Sequence, residues 1–418
     1  MPKLLADITP LKVSPAYRRI WASIGISNIG QQMTAVAVGL QIYDMTQSSL
    51  MVGLVGAAQV VPLVAFGLYG GVFSDAYDRR TVAMISAIGM WVTSVAFFAQ
   101  SIMGVQSVWL LYLIIACAST FFAVGNPARQ AITPRIIPQD LLPAANALGM
   151  ITWNFGFSIG PFLGGAIVAA TGSVTWAYFI DVIAYATVIW AMFRLPKIPP
   201  IHASGEKPKV GTAAVLDGLK FLKGKKNLQM SFYEDIVAMV FGMPRALFPA
   251  IAVLWYGGST REVAFTLGAL SAAPAVGAFA SGILSGPLGR IRRQGFVTVA
   301  SIIAWGAMIT AFGFTRYLPL ALLFLALAGA ADNVSAVMRT TILQSATPDE
   351  YRGRLQGVFT VVVAGGPRLG DVEAGAVAAI AGEPFSVISG GIACIGLAIA
   401  LAMKYPGFLK YDARHPIP

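Results

Sequence analysis

The chain has 418 residues, of which 57% are hydrophobic and 11% charged, with a formal net charge of +11 and a mean hydropathy of +0.73. Soluble domains carry about 25% charged residues, so this composition excludes a soluble globular enzyme and reads as an integral membrane protein. The basic excess does not signal nucleic acid, because it is spread along the chain in a pattern that a membrane explains.

Apolar runs long enough to cross a bilayer, about 20 residues each, recur along almost the whole length. They fall at roughly 18–43, 48–73, 81–103, 107–130, 142–170, 174–194, 229–256, 262–288, 295–315, 318–340, 355–381 and 385–404. The run at 355–381 is the least hydropathic. Between them, 25 of the 29 Lys/Arg fall in the N-terminal segment, in every second loop and in the C-terminal segment; the exceptions are Arg245, Arg261, Arg316 and Arg368. This count assigns Arg129 and Arg339 to loops. Positive charge is retained in the cytoplasm during insertion, so both termini are expected inside and the number of spans even. The first run is too long for a signal peptide and lacks a small-residue cleavage site, so no cleaved leader is expected.

Cys117 and Cys394 lie in separate spans, and His202 and His415 in polar segments. That distribution offers neither a disulfide framework nor a metal site nor a histidine-based triad. The longest polar stretch, 195–228, is rich in Pro, Gly and Lys and reads as a cytoplasmic linker. It divides the chain into a six-helix bundle at 1–194 and another at 229–418. Within it Val215, Leu219 and Leu222 share a helical face beside Lys220, Lys223, Lys225 and Lys226, the pattern of a short helix on an anionic leaflet, or equally of a solvated basic loop.

The two halves repeat. Arg129, Pro138, Asp140 and Asn146 return as Arg339, Pro348, Glu350 and Gln356, and Gly156-x-x-x-Gly160 returns as Gly366-x-x-x-Gly370, at an offset of 210. Gly71-x-x-x-Asp75-x-x-Asp78-Arg79 returns as Gly282-x-x-x-Gly286-x-x-Gly289-Arg290, offset by 211. Parallel repeats of six helices place a site at mid-membrane between the halves. The expected fold is therefore all-α: twelve transmembrane helices in two pseudo-symmetric six-helix bundles, the architecture of a transporter rather than an enzyme.

Residues 70–82, GGVFSDAYDRRTV, sit where the second span meets the cytoplasm, and a carboxylate there can hold the cytoplasmic side shut by pairing with arginine or with a helix N-terminus. The same residues read alternatively as an ordinary juxtamembrane turn. Gly71, Asp75, Arg79 and Arg80 match the cytoplasmic gate signature of the major facilitator superfamily, Gly-x-x-x-Asp-x-x-Gly-Arg-Lys, which the chain resembles over nearly its whole length. Asp78 stands where that signature has glycine, and Ala76 where a basic residue is frequent.

In the fifth span GFSIGPFLGG, residues 156–165, resembles the superfamily's antiporter motif through Gly156, Gly160, Pro161, Gly164 and Gly165. Physically, glycines four apart form a smooth stripe for a neighbouring helix, and Pro161 favours a bend; close packing alone is the plainer reading. The stretches LKVSPAYRRIW, LPKIPP, PRALFPAI and TTILQSATPDEYRGRLQGV are similar to the transmembrane secretion effector group. That is the enterobactin-exporter-like branch, which also includes macrolide and multidrug pumps. The resemblance implies a secondary exporter of the bacterial cytoplasmic membrane, working as a monomer on a small-molecule substrate with the proton gradient as its energy source. It implies no organic cofactor and no nucleic-acid partner. The early-span arginine that many proton-coupled exporters carry on the fourth helix is absent. No Gly-x-x-x-x-Gly-Lys-[Ser/Thr] loop occurs, so ATP drive would need another protein. A proton symporter importing a nutrient is the alternative within the same fold.

The eleventh span contains GGPRLGDVEAGAV, residues 365–377, with three formal charges. A charge at the bilayer centre costs about 2.5–3.5 kcal/mol on insertion scales, so these side chains are expected to face protein. Arg368 and Asp371 share a helical face and Glu373 points away from it, so another helix must supply a partner; Arg245, Asp332, Glu234 and Asp235 are available. Burial favours a neutral carboxyl and a nearby arginine favours the carboxylate. Asp332, Asp371 and Glu373 are thus the candidate proton carriers, unless the charges form a static lattice. Arg245 and Arg368 are candidates to attract an anionic or chelating substrate, with Asn28, Gln32 and Trp153 lining the first half of the cavity. The amides are equally readable as packing groups.

Overall fold

The structure, a computed structural model, describes residues 7–138, 141–199, 220–283 and 291–412. After a helical turn at Thr9–Val13 come twelve long helices. They are α1 (Pro15–Thr46), α2 (Ser49–Ala76), α3 (Arg79–Ile102), α4 (Val108–Ile136), α5 (Leu142–Thr171) and α6 (Thr175–Phe193). The second set is α7 (Lys226–Tyr256), α8 (Thr260–Ile283), α9 (Gln294–Phe314), α10 (Leu318–Ala346), α11 (Asp349–Ala381) and α12 (Glu383–Lys404). Ten of the twelve are long and apolar enough to cross a membrane by length and composition. The other two, α1 and α11, are those that the sequence fills with amides and charges. Of the surface-helix reading of the linker, Val215 and Leu219 lie outside the described residues, whereas Leu222 is buried in a core with Leu228 and Phe408. Gly286, Gly289 and Arg290 of the repeat lie outside the described residues, as do the side chains of 68–76, which include the gate residues Gly71 and Asp75.

Local chemistry sets the helix ends. Asp78 caps α3 by accepting from the Thr81 amide at 2.9 Å, and Ser107 caps α4 by accepting from the Leu110 amide at 3.3 Å. Gly172, at φ +70°, ends α5 in the left-handed conformation that a side chain would strain. Pro62, Pro127, Pro134, Pro161, Pro274 and Pro367 lie inside helices. A break interrupts α7: it is helical over Lys226–Phe241, opens at Gly242, resumes as a 3₁₀ turn at Arg245–Leu247 and ends in a π-helical turn at Ala252–Tyr256. Gly242 and Pro244 account for the opening, since proline withdraws a backbone donor. A Cβ at Gly242 would collide with Trp305 Nε1.

The chain forms two compact units, one of residues 1–41 with 61–211, the other of 42–60 with 212–418. Residues 42–60, which the linker-based division assigns to the first bundle, thus pack with the second. In the first unit Ile20, Val82, Ala87, Ile132, Tyr185 and Met192 make the centre of a core shared by α1, α3, α4 and α6. In the second, Leu228, Met230, Val299, Ile342, Leu355 and Phe408 make the equivalent core.

The internal repeat reappears as packing. A Cβ on Gly156 would come 2.9 Å from Asn28 Cβ, and one on Gly164 would come 2.9 Å from Met33 Cα, so α5 lies backbone-close on α1. In the second unit Gly366 and Gly370 hold α11 equally close to α7 at Met239. Glycines are needed at both contacts because any side chain would force the helices apart.

Candidate functional site

Two constellations of charge lie in the second unit. In the first, Arg245 Nη2 donates to Asp371 Oδ2 at 3.0 Å, joining α7 just past its break to α11. The Arg245 side chain is 46% exposed and that of Asp371 16%, so the pair is reachable from one side and supported from the other. Arg368, one turn before Asp371, donates to the Ala364 carbonyl instead of pairing with it. Asp371 therefore takes its partner from α7, one of the options open from sequence, and Arg368 leaves its own α11 neighbour aside. Residues 53 and 56 of α2 are glycines lying against the Asp371 and Arg368 carbonyls. Glu373 is partly buried and takes no ion pair among the described residues.

The second constellation surrounds Arg339. Its Nη1 is 2.7 Å from Asp235 Oδ1 and its Nη2 3.6 Å from Asp332 Oδ1. Arg339 and Asp235 are almost fully buried, whereas the Asp332 side chain is 36% exposed. Glu234 beside them is 0% exposed, and neither of its oxygens has a partner among the described residues. Ser335, also fully buried, leaves its hydroxyl unpartnered one turn after Asp332. Asp332 and Asp371 thus belong to different clusters, each with its own arginine. Arg339, which the charge pattern assigns to a loop, lies instead within α10, enclosed by protein.

Away from its helix ends the first unit carries mainly neutral polar groups, with two exceptions among the described residues, Asp181 and Arg129. Asp181 in α6 is 3% exposed; its Oδ2 accepts from Ser94 Oγ at 2.6 Å, while Oδ1 has no partner among the described residues. Gly30 of α1 makes room for it, since a Cβ there would sit 2.7 Å from Asp181 Oδ1. One turn on, Tyr185 accepts from the Gln31 amide, and one turn back Tyr178 donates to Gln41 Oε1 at 2.7 Å. Arg129, counted with the loops, also lies inside its helix, α4. It is 3.3 Å from Ser86 Oγ and stacks on Phe122 at 5.5 Å.

Of the residues expected along the cavity, Asn28 is buried with its amide nitrogen unpartnered among the described residues. Gln32 faces Gly160, where a Cβ would stand 2.5 Å from Gln32 Cβ. Trp153 is exposed and stacks at 4.9 Å on Phe157. Pro161, Gly164 and Gly165 are buried in α5. At the gate motif, Arg80 donates to the Met192 and Phe193 carbonyls that close α6, at 3.1 and 2.8 Å. The departure at Asp78 has a structural consequence. Besides capping α3, its Oδ2 accepts from the Ile198 amide at 2.6 Å, and the Arg79 amide donates back to the Ile198 carbonyl at 3.0 Å. The root of the linker is thereby buttoned to the gate turn, with Leu195 and Ile198 buried beneath.

Residues 6–415 match the family model described as transmembrane secretion effector. The chain belongs to that family. Its members here are transporters of the major facilitator superfamily, not enzymes, and the chain is a multi-pass membrane protein. Among curated relatives, the Enterobactin exporter EntS of Citrobacter koseri is 28% identical over 419 residues, covering 99% of this chain and 97% of the relative. EntS of Salmonella choleraesuis is 28% identical over 406 residues, covering 96% and 95%. The fold is similar to that of the nucleoside transporter NupG, with a TM-score of 0.74 at 14% identity over 94% of this chain and 99% of that one. It is also similar to a bacterial homolog of the human lysosomal transporter Spinster, with a TM-score of 0.69 at 14% identity over 94% and 96%.

Proposed function

We propose that this family member is a proton-coupled exporter of a siderophore-like or amphipathic small molecule across the bacterial cytoplasmic membrane, acting as a monomer. The observation that carries the proton reading is the Arg339 cluster. One guanidinium serves Asp235 and Asp332 while Glu234 is buried with no hydrogen-bond partner among the described residues. Three carboxylates around one cation, two of them enclosed, would leave uncompensated buried charge, and such charge is costly enough that a resident proton is the cheaper state. Asp332 is the exposed member and hence the door through which that proton would exchange.

The substrate reading rests on Arg245 and Arg368, two cations on facing helices with one carboxylate, Asp371, beside them. The relatives named as enterobactin exporters and the glycine motif of α5 support outward transport. Asn28, Gln32 and Trp153 would line the first unit's share of the path. The signs of the two clusters assign them different roles. Protonating Asp371 would free Arg245 and strengthen the hold on an anion, so proton and substrate would travel together. An antiporter of anions therefore needs its proton on a carboxylate away from Arg245, and Asp332 meets that need. By the same logic, the Arg245–Asp371 pair is the one observation that favours proton symport, with Asp371 as carrier.

Proteoliposomes under an imposed pH gradient test the assignment. Asp332→Asn should abolish gradient-driven efflux but spare substrate exchange between saturated compartments. Asp371→Asn should keep the gradient dependence and alter apparent substrate affinity. Undiminished proton dependence in both variants refutes proton coupling through these residues, and the reverse pattern favours symport. Competition between anionic chelators and cationic dyes separates the substrate classes.

A further inference from the structure

A groove of about 560 Å³ lies between α1 and α6 of the first unit. Its floor is made of small residues, Ala22 and Ser23 of α1 and Ala186 and Thr187 of α6. Ile26 and Ile183 at one end and Trp190 at the other stand about half exposed along its walls. Arg18 and Arg19 close the end next to Trp190. None of the described side chains lining the groove is acidic, and neither arginine has an ion pair among the described residues. Arg19 Nε is buried and unpartnered. Beyond the same end, Arg194 stacks over Trp190 at 6.0 Å.

The polarity of the groove follows from the chain. Helix α1 begins at Pro15 and α6 ends at Phe193, the ends at which the loop charges fix the cytoplasmic side. From Arg19 to Ile26 is seven residues, about 10 Å of helix rise. A ligand that fits must therefore present an anion at the cytoplasmic headgroup level and an apolar tail of about that length pointing into the bilayer. Clefts of ~300–1,000 Å³ are the usual size for small-molecule sites, and the cytoplasmic leaflet is the one that carries anionic lipid. Arginine suits the headgroup because its planar fork binds phosphate oxygens two at a time. We propose that this groove binds one anionic phospholipid of the cytoplasmic leaflet, with its phosphate on Arg18 and Arg19 and an acyl chain between Ile26 and Ile183.

Native mass spectrometry of the full chain in mild detergent, titrated with phosphatidylglycerol, tests the site. A basic residue at a membrane surface contributes about fivefold in affinity, so Arg18→Gln with Arg19→Gln should weaken the tightest phosphatidylglycerol by about thirtyfold. Phosphatidylcholine of the same chain length should bind both proteins alike. Ala186→Trp, which fills the floor and keeps both arginines, should remove the same bound lipid. Lys404→Gln with Lys410→Gln, basic residues elsewhere on the chain, should leave it in place. An unchanged phosphatidylglycerol affinity in the double arginine variant overturns the proposal. So does displacement of the lipid by inorganic phosphate at matched concentration, which would mark a free-anion site instead.

Discussion

Replacing Arg339 by glutamine is the sharpest perturbation of the second unit's core. The guanidinium is 2.7 Å from Asp235 Oδ1, with the two side chains only 4% and 2% exposed. Breaking a buried pair by removing one partner costs about 3–5 kcal/mol, because the survivor is left charged and unsolvated. Asp332 adds little to that loss, since its side chain is 36% exposed and 3.6 Å away. For a folding unit of this size each kcal/mol moves the melting temperature by about 2–4 °C, so Arg339→Gln should melt about 6–20 °C below the parent. Adding Asp235→Asn removes the orphaned charge and should recover most of that deficit, a coupling that a double-mutant cycle reads directly. Detergent-solubilised protein, heated and followed by fluorescence-detected size exclusion, supplies the measurement. A single variant melting within the error of the parent, or a double variant no better than the single, refutes the view of Arg339 as the cation that holds this cluster together.

Gly160→Val should disturb transport more than expression. Its side chain would meet Gln32 Cβ at 2.5 Å and the Ile29 carbonyl at 2.9 Å, an overpacking cost of about 1–3 kcal/mol. Gly149→Ala on the same helix, with nothing within 4 Å, should be silent in the same melts and in the proteoliposome efflux assay. Asp78→Ala removes both the α3 cap and the clasp on Ile198, costing about 1 kcal/mol, and limited proteolysis should then cut the linker root near Ile198 faster than in the parent. Asp181→Asn keeps the shape and the Ser94 contact, so it should fold with a near-parental melt, whereas Asp181→Leu loses the Ser94 hydrogen bond, leaving Ser94 Oγ only the Met90 carbonyl at 3.2 Å, and should cost about 0.5–1.5 kcal/mol.

Much of the fold was legible because membranes impose long, countable signals. Twelve apolar runs became twelve helices, and the 210-residue offset in the glycines became matching α5–α1 and α11–α7 contacts. What escaped did so for physical reasons. Asp181 sits in TWAYFIDVIAYATVIWAMF, where a single carboxylate barely dents the hydropathy, and only the converging Ser94 and Gly30 reveal that it is enclosed. The charge count that fixed topology treated Arg129 and Arg339 as loop residues, although their recurrence at the repeat offset was the available sign that both belong inside. The break in α7 was written in Gly242 and Pro244, but an apolar run does not announce a lost hydrogen bond. The partner of Asp371 could be narrowed to a few side chains on other helices, because choosing among them depends on how deep each helix sits.

The repeat also shows where this chain departs from its own symmetry. Moving back by 210 or 211 positions, Glu234 falls on Ile24 or Ser23, Asp235 on Gly25 or Ile24, and Arg245 on Ala35 or Thr34. Asp332 falls on Phe122 or Phe121, Arg368 on Ser158 or Phe157, and Asp371 on Pro161 or Gly160. None of these counterparts is charged. Of the charges in these two clusters Arg339 alone keeps its charge, as Arg129, which bonds a serine and stacks on a phenylalanine where Arg339 meets carboxylates. Glycine contacts that let helices approach are duplicated, and the carboxylates that could carry a proton with them are not. Packing is thus common to both units while ionisable chemistry is concentrated in the second, with buried Asp181 as the first unit's own exception. A transporter whose halves were chemically equivalent would tolerate exchange of their charged positions. Here, moving the Asp332 carboxylate to its counterpart by Phe122→Asp with Asp332→Phe would place it next to Arg129, where Asp235 has no equivalent. Loss of gradient-driven efflux despite a folded protein is the expected result, and retained coupling would show that one cation–carboxylate contact in either half is enough.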